Sequence, residues 1–246
     1  MIKLLFVLFP LFVLCTRAGA QQPAPPPDSG IHAAVQQAIA LSHREAGLQS
    51  QLYNGRVHNR YESNMLGVPY YLSNDPQTGS VEFEHILFEQ VPLWYDAVKE
   101  KLVVQHFNQI SAFELSSERV DRFTIGSHRF IRLVRDTLEN ASTLPTSFYE
   151  VLCTGKVTIL ARRKKLIAEF IDNMEVRHRV DNAETFYALK DGRYHPVNNQ
   201  RSFFAVLKDR KAEVQHYLHR SKVKFRKNPE AALVQASVYY NQLTPP

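Results

Sequence analysis

Between residues 80 and 197 apolar and polar side chains alternate in short runs, and turn-forming pairs separate the runs. Val81, Phe83 and His85 alternate with Glu82 and Glu84, the period-two pattern of a strand with one covered face. Further strands are expected at 87–91, 93–98, 102–107, 111–115, 120–125 and 128–134. A polar loop follows at 136–145. Segments 148–153 and 156–162 then read as a hairpin turning at Thr154-Gly155. Another strand is expected at 166–171. Segments 185–189 and 193–197 form a hairpin around Asp191-Gly192, a pair suited to a type I′ turn. Turn signals at this spacing mark antiparallel sheets. Upstream, Asn54-Gly55 suggests a first hairpin at 52–56. A strand carrying Tyr70 and Tyr71 is expected at 68–72, and a polar turn at 74–79.

Outside this stretch the period changes. Ile31, Val35, Ala38, Ile39 and Leu41 have helical spacing, so a short amphipathic helix is expected at 31–46, ended by Gly47. Phe203, Leu207, Val214 and Leu218 fall on one helical face, with Asn198, Asn199 or Ser202 as cap. Residues 222–226 alternate like an extended link. Asn228-Pro229-Glu230 opens a last helix, with Asn as cap, Pro in the first turn and an acid beside it. The fold expected is α+β: an antiparallel β-meander, rolled or half-barrel-like, with a short N-terminal helix and two or three C-terminal helices.

The first twenty residues stand apart. Lys3 is followed by an apolar run at 4–14 and by Ala18-Gly19-Ala20, the layout of a signal peptide cleaved near Ala20. The run is shorter than the roughly 20 residues a membrane-spanning helix needs. Residues 21–30 include Pro25-Pro26-Pro27 and read as an extended linker. The division expected is therefore 1–20 signal peptide, 21–30 linker, 31–197 helix and meander, and 198–246 helical segment packed on it. Cys15 leaves with the leader and only Cys153 remains, so no internal disulfide is expected. An exported chain without disulfides suits a bacterial periplasm or cell surface.

The formal charge is +6, and about +4 without Lys3 and Arg17. Eight Lys or Arg lie between Lys208 and Lys227 against Asp209 and Glu213, so the surplus is concentrated in the C-terminal helices. Such a segment can attract an anionic polymer or lipid surface. No nucleic-acid partner and no transmembrane segment of the mature chain are expected.

Common catalytic motifs are missing: no Gly-rich phosphate loop, no His-Glu-x-x-His, no paired Cys motif and no Gly-x-Ser-x-Gly. Cys153 alternates with Tyr149 and Val151 and reads as an inert thiol. His216 and His219 are spaced as two metal donors but lack a third, and no metal or cofactor is expected. His85, His106 and His128 are each placed in or beside strands. Asp75, Glu82, Glu84 and Asp96 are the carboxylates a hydrolase would draw on. Tyr70, Tyr71, Trp94 and Tyr95 form the candidate ligand-binding cluster, since aromatics near a sheet edge stack on sugars or peptides.

Four stretches, LYNGR at 52–56, VPLWYDAVKEKLVVQHF at 91–107, FYEVLCTGKVTILARRK at 148–164 and NPEAALVQASVYYNQL at 228–243, resemble a group of exported bacterial proteins of the Bacteroidetes type. The resemblance implies an envelope location and transfers no activity or site. The function expected is a non-enzymatic binding or structural module of the cell envelope, with a partner, glycan or lipid surface as ligand. A hydrolase with a site dispersed over several strands, and a binder of anionic polymer or lipid through 208–227, are the alternatives.

Overall fold

A computed structural model describes residues 47, 50–62, 64–135 and 144–243. The leader, the linker, the helix expected at 31–46 and most of the loop expected at 136–145 lie outside them. Thirteen strands are described: β1 (Arg56–Val57), β2 (Gln77–Phe83), β3 (Ile86–Asp96), β4 (Lys101–Gln105), β5 (Ala112–Glu114), β6 (Val120–Ile125), β7 (His128–Leu133), β8 (Ser147–Cys153), β9 (Val157–Arg162), β10 (Lys165–Asp172), β11 (Glu175–Asn182), β12 (Thr185–Lys190) and β13 (Arg193–Val197). Three α-helices follow: α1 (Gln200–Val206), α2 (Lys211–Arg220) and α3 (Pro229–Leu243). Eleven strands make one antiparallel sheet in the order β1-β5-β4-β3-β2-β6-β7-β8-β9-β12-β13, and β10 and β11 pair separately as a hairpin. The sheet ends on β1, two residues long, and on β13, where Pro196 faces Tyr187 of β12. No helix among the described residues is long and apolar enough to cross a membrane.

Most hairpins stand where alternation and turn chemistry put them. Asp191 and Gly192 have φ of 51° and 72°, the type I′ geometry that matches strand twist. Several expectations need correction. Segment 52–56 is not a hairpin: a 3₁₀ turn at Ser50–Tyr53 leads into β1, which pairs with β5. Gly55 serves close approach there, since a Cβ would collide with the Glu114 carbonyl. Segment 68–72 is reduced to one bridge, Tyr70 to Asp96, and Leu72 at φ 66° turns the chain away. Gln77, Thr78 and Gly79 belong to β2, not to a polar turn. The strands expected at 87–91 and 93–98 are one long β3. Its register slips opposite Gly79–Val81, with Gln90 at φ 55°, so Phe88 and Val91 both face inward despite their three-residue spacing. The helix expected from Phe203 to Leu218 is two, parted by a 3₁₀ turn at Lys208–Arg210.

Two cores carry most of the burial. Rings of Tyr95, Phe123, Phe130 and Phe148 meet on one face of the large sheet, with Phe123 and Phe130 stacked at 4.6 Å. The second core sits between sheet and helices: Val157, Ile159, Ala188 and Val197 receive Phe203, Leu207, Val214, Leu218, Leu233 and Tyr240.

Asn241 of α3 clamps that contact. Its Oδ1 accepts from Val157 N at 2.9 Å, and its Nδ2 donates to the carbonyls of Val157 and Thr154 at 3.0 and 3.2 Å. The amide thus completes the ladder of β9 as another strand residue would. A Cβ at Gly155 would collide with it. Asn241→Ala leaves the buried Val157 amide unmatched and is expected to cost about 1–3 kcal/mol. Chemical denaturation checks this, and an unchanged midpoint contradicts the clamp.

Candidate functional site

The site is built on the basic C-terminal segment. Asn199 caps α1: its Oδ1 accepts from Ser202 N at 2.9 Å, and Ser202 Oγ accepts from Asn199 N at 3.1 Å. This reciprocal cap fixes the first turn and sets Phe203 and Phe204 side by side, both buried. The Tyr217 ring of α2 stacks on Tyr239 of α3 at 4.2 Å, which holds α2 against α3. Lys222, at φ 56°, then turns the chain back. From there Val223 and Phe225 point inward and pack on the helical core, while Lys222, Lys224 and Arg226 stay exposed.

These elements enclose a pocket of about 700 Å³ lined by Phe204, Leu218, Val223 and Phe225, by Gln200 and Gln215, and by His219, Lys222, Lys224 and Arg226. An adjoining hollow of about 450 Å³ shares Gln200, Phe204 and Gln215 and adds Arg201 and Lys211. Two nearby cations are neutralised: Lys190 of β12, whose Nζ lies 2.6 Å from Asp209 Oδ1, and Arg210, whose Nη1 lies 3.0 Å from Glu213 Oε1. Lys222, Lys224 and Arg226 have no carboxylate within ion-pair distance among the described residues. The chemistry is that of an apolar floor under a positive rim, within the size range of small-molecule sites.

A second polar constellation lies in the sheet. Glu150 of β8 is buried, and Arg163, just past β9, donates to it from Nε at 2.5 Å. Arg163 Nη1 also reaches Glu230 at 2.7 Å and Glu184 at 3.1 Å. Tyr71 donates to Glu150 Oε2 at 3.0 Å, and His128 Nδ1 lies 2.5 Å from Oε1. Burial opposes the Arg163 charge, but Glu230 and Glu150 hold it protonated above its ordinary range. Burial, then the Glu150 charge, pushes the Tyr71 phenol up. A carboxylate-oriented imidazole is half of a general-base dyad, but no serine, threonine or cysteine hydrogen-bonds to His128 among the described residues. The group therefore reads as a structural junction between sheet and α3.

The four aromatic candidates are not gathered into one site. Tyr70 and Trp94 pack together with Val103 and Ala112, their rings 6.0 Å apart; Tyr71 and Tyr95 belong to the main core. Trp94 and Tyr95 are neighbours on β3 and so point to opposite faces of the sheet, and Tyr70 and Tyr71 divide between the same two clusters. All four are buried, at 6 %, 8 %, 4 % and 0 % exposure for Tyr70, Tyr71, Trp94 and Tyr95. The Tyr70 hydroxyl lies 2.8 Å from His58 Nε2, and Trp94 Nε1 donates to the Asn74 carbonyl at 2.9 Å. Burial, then the charge of Asp96, pushes the Tyr70 phenol up to about 12.

The other candidates are dispersed. Cys153 is half-buried in the strand facing the helices, and burial pushes its thiol up, away from nucleophilic use. His85 stands in the β2–β3 turn rather than on a strand face. Glu82 and Glu84 are tied to Arg122 and Arg119. Asp96 is fully buried and caps its turn, accepting from Val98 N and Lys99 N at 3.0 and 2.9 Å. Sequence reading found the cations at 208–227 but missed the floor, Phe204, Val223 and Phe225. The alternation Lys222-Val223-Lys224-Phe225-Arg226 was the available signal. Compared with known proteins, the chain matches no family model, no curated protein and no solved structure.

Proposed function

We propose that this is an exported, non-enzymatic bacterial envelope protein whose C-terminal helices bind an anionic amphiphile, a single acyl chain bearing a phosphate or carboxylate head. The observation that carries the reading is the apolar floor of Phe204, Leu218, Val223 and Phe225 under three cations without counter-charge. An acyl chain released from water onto such a floor gains about 0.8 kcal/mol per buried methylene. The head then meets Lys222, Lys224 and Arg226 at the rim. Support for export to the periplasm or cell surface comes from Lys3, the apolar run at 4–14 and Ala18-Gly19-Ala20, and support for kinship with the Bacteroidetes-type group from the stretches at 52–56, 91–107, 148–164 and 228–243. The large sheet is taken as a roll or half-barrel, a shape supported by the convergence of Tyr95, Phe123, Phe130 and Phe148 on one face and by free edges at β1 and β13.

Dodecyl phosphate titrated calorimetrically into the full chain is expected to bind at one equivalent, more weakly as salt rises. Inorganic phosphate and neutral dodecyl maltoside are each expected to bind at least about tenfold more weakly, a difference of about 1.4 kcal/mol. The triple variant Lys222→Glu, Lys224→Glu, Arg226→Glu alters only exposed side chains and is expected to lose at least the same factor without a shift in melting temperature. Equal affinity of parent and triple variant would sink the proposal, as would no binding by the parent. Sedimentation with phosphatidylglycerol vesicles separates a free amphiphile from a membrane surface as the source of the ligand.

A further inference from the structure

Far along the chain from the helical pocket, β2, the β2–β3 turn and β6 bring Glu82, His85 and Asp121 together. One ligand atom from each of the three lies within 4.8 Å of the others. Two local irregularities produce this. Glu82 is opposite Arg122 while Phe83 is opposite Val120, so Asp121 is the extra residue of a β-bulge. A bulge re-aims the side chain it carries. In the turn, Glu84 and His85 are both left-handed, with φ of 52° and 64°, and the imidazole is directed back over the strand pair.

One of these donor atoms is left without a hydrogen-bond partner. Asp121 Oδ2 is buried and has no hydrogen-bond partner among the described residues. His85 Nδ1 lies 2.9 Å from it without hydrogen-bond geometry. A buried carboxylate oxygen without a donor is costly unless positive charge meets it. Two donors bound at about 2.0–2.1 Å to one tetrahedral ion stand about 3.3–3.4 Å apart, so His85 and Asp121 need to part by only a few tenths of an ångström to admit it. Arg122 takes only Oε2 of Glu82, so Oε1 is open to a third bond.

We propose that Glu82, His85 and Asp121 form a binding site for a divalent transition-metal ion, of which zinc is the representative. One imidazole and two carboxylates suit such an ion, and the two carboxylate charges balance it. Three protein donors leave coordination positions open. His85 and Asp121, though not Glu82, line a hollow of about 310 Å³ bounded also by Glu84, Glu118 and Arg119. The Arg119 and Arg122 guanidiniums, each paired to a neighbouring glutamate, keep the surplus negative charge at the rim low. The site is independent of the amphiphile pocket, so either proposal can fail alone.

The test is equilibrium dialysis of the chelator-stripped full chain against Zn²⁺, with Co²⁺ absorption as a second readout. One equivalent is expected to bind at micromolar concentration. His85→Ala and Asp121→Asn are each expected to weaken binding at least about tenfold and to abolish the Co²⁺ band. Glu82→Gln is expected to weaken it less, because Arg122 already shares that carboxylate. Both principal substitutions alter partly or fully exposed side chains, and circular dichroism checks that the fold is kept. The His216→Ala, His219→Ala double variant is expected to bind as the parent does. No binding by the parent overturns the site. Unchanged binding in His85→Ala and Asp121→Asn, or loss in the His216, His219 double variant, places the ion elsewhere and overturns it equally.

Discussion

Arg163→Ala is expected to destabilise the protein by about 3–5 kcal/mol, the cost of leaving a buried ion without its partner. Glu150 is 3 % exposed and takes a 2.5 Å hydrogen bond from Arg163 Nε. With the guanidinium gone, Tyr71 and a half-exposed His128 are the remaining donors to a carboxylate that water scarcely reaches. The same substitution frees Glu230, which lies in the first turn of α3, so the N-terminal end of the helix loses a tether to the sheet. Lysine is not a substitute, since a single ammonium cannot serve Glu150, Glu184 and Glu230 from a planar fork. Urea denaturation reads the loss. The sharper check is the double variant Arg163→Ala, Glu150→Gln, expected to be more stable than the two single losses added together, because the uncompensated charge is gone. A single-variant loss below about 1 kcal/mol would show the junction to be dispensable.

Phe123→Ala is the second large effect, about 3–5 kcal/mol. The ring stacks on Phe130 and lies 5.5 and 5.2 Å from the Tyr95 and Phe148 rings. These four come from β3, β6, β7 and β8, so the cavity opens in the main core, where four strands contribute rings. Neighbours held by four hydrogen-bonded strands cannot collapse into it, which places the cost at the upper end of the range. Phe123→Leu keeps most of the volume and is expected to cost less than half as much. Equal losses for the two variants would mean that the stacked ring, not the filled volume, sets the stability.

How much of this could be read from sequence follows from where water reaches. Val81 and Phe83 in β2 flank the half-buried Glu82, and Val157 and Ile159 in β9 flank the half-buried Thr158, and their strands were legible. The strand β11 was not. It contains no buried residue, so Arg177, His178, Arg179 and Asp181 carry no alternation, and its turn at Asn173-Met174 reaches positive φ without a glycine. The same gap concealed the Glu84-His85 turn, and with it the approach of His85 to Asp121. Bulges hide in a similar way: the slips near Gln90 and at Asp121 shift the period by one, which a fixed two-residue template misreads. Hydrophobic patterning is also silent on Glu150 of β8 and Arg163 just past β9, which are buried because they neutralise each other. The pocket was half legible: its cations stand out in composition, but its floor is assembled from three segments.

The two ends of the large sheet have a bearing on what happens when many copies crowd together. A newcomer docking as an extra strand along β13 meets Pro196, which has no amide hydrogen to offer. At the opposite margin β1 presents only Arg56 and Val57, too short a template to seed a ladder. Eleven hydrogen-bonded strands therefore stop at two dead ends, and fibrillar growth finds no starting point at either.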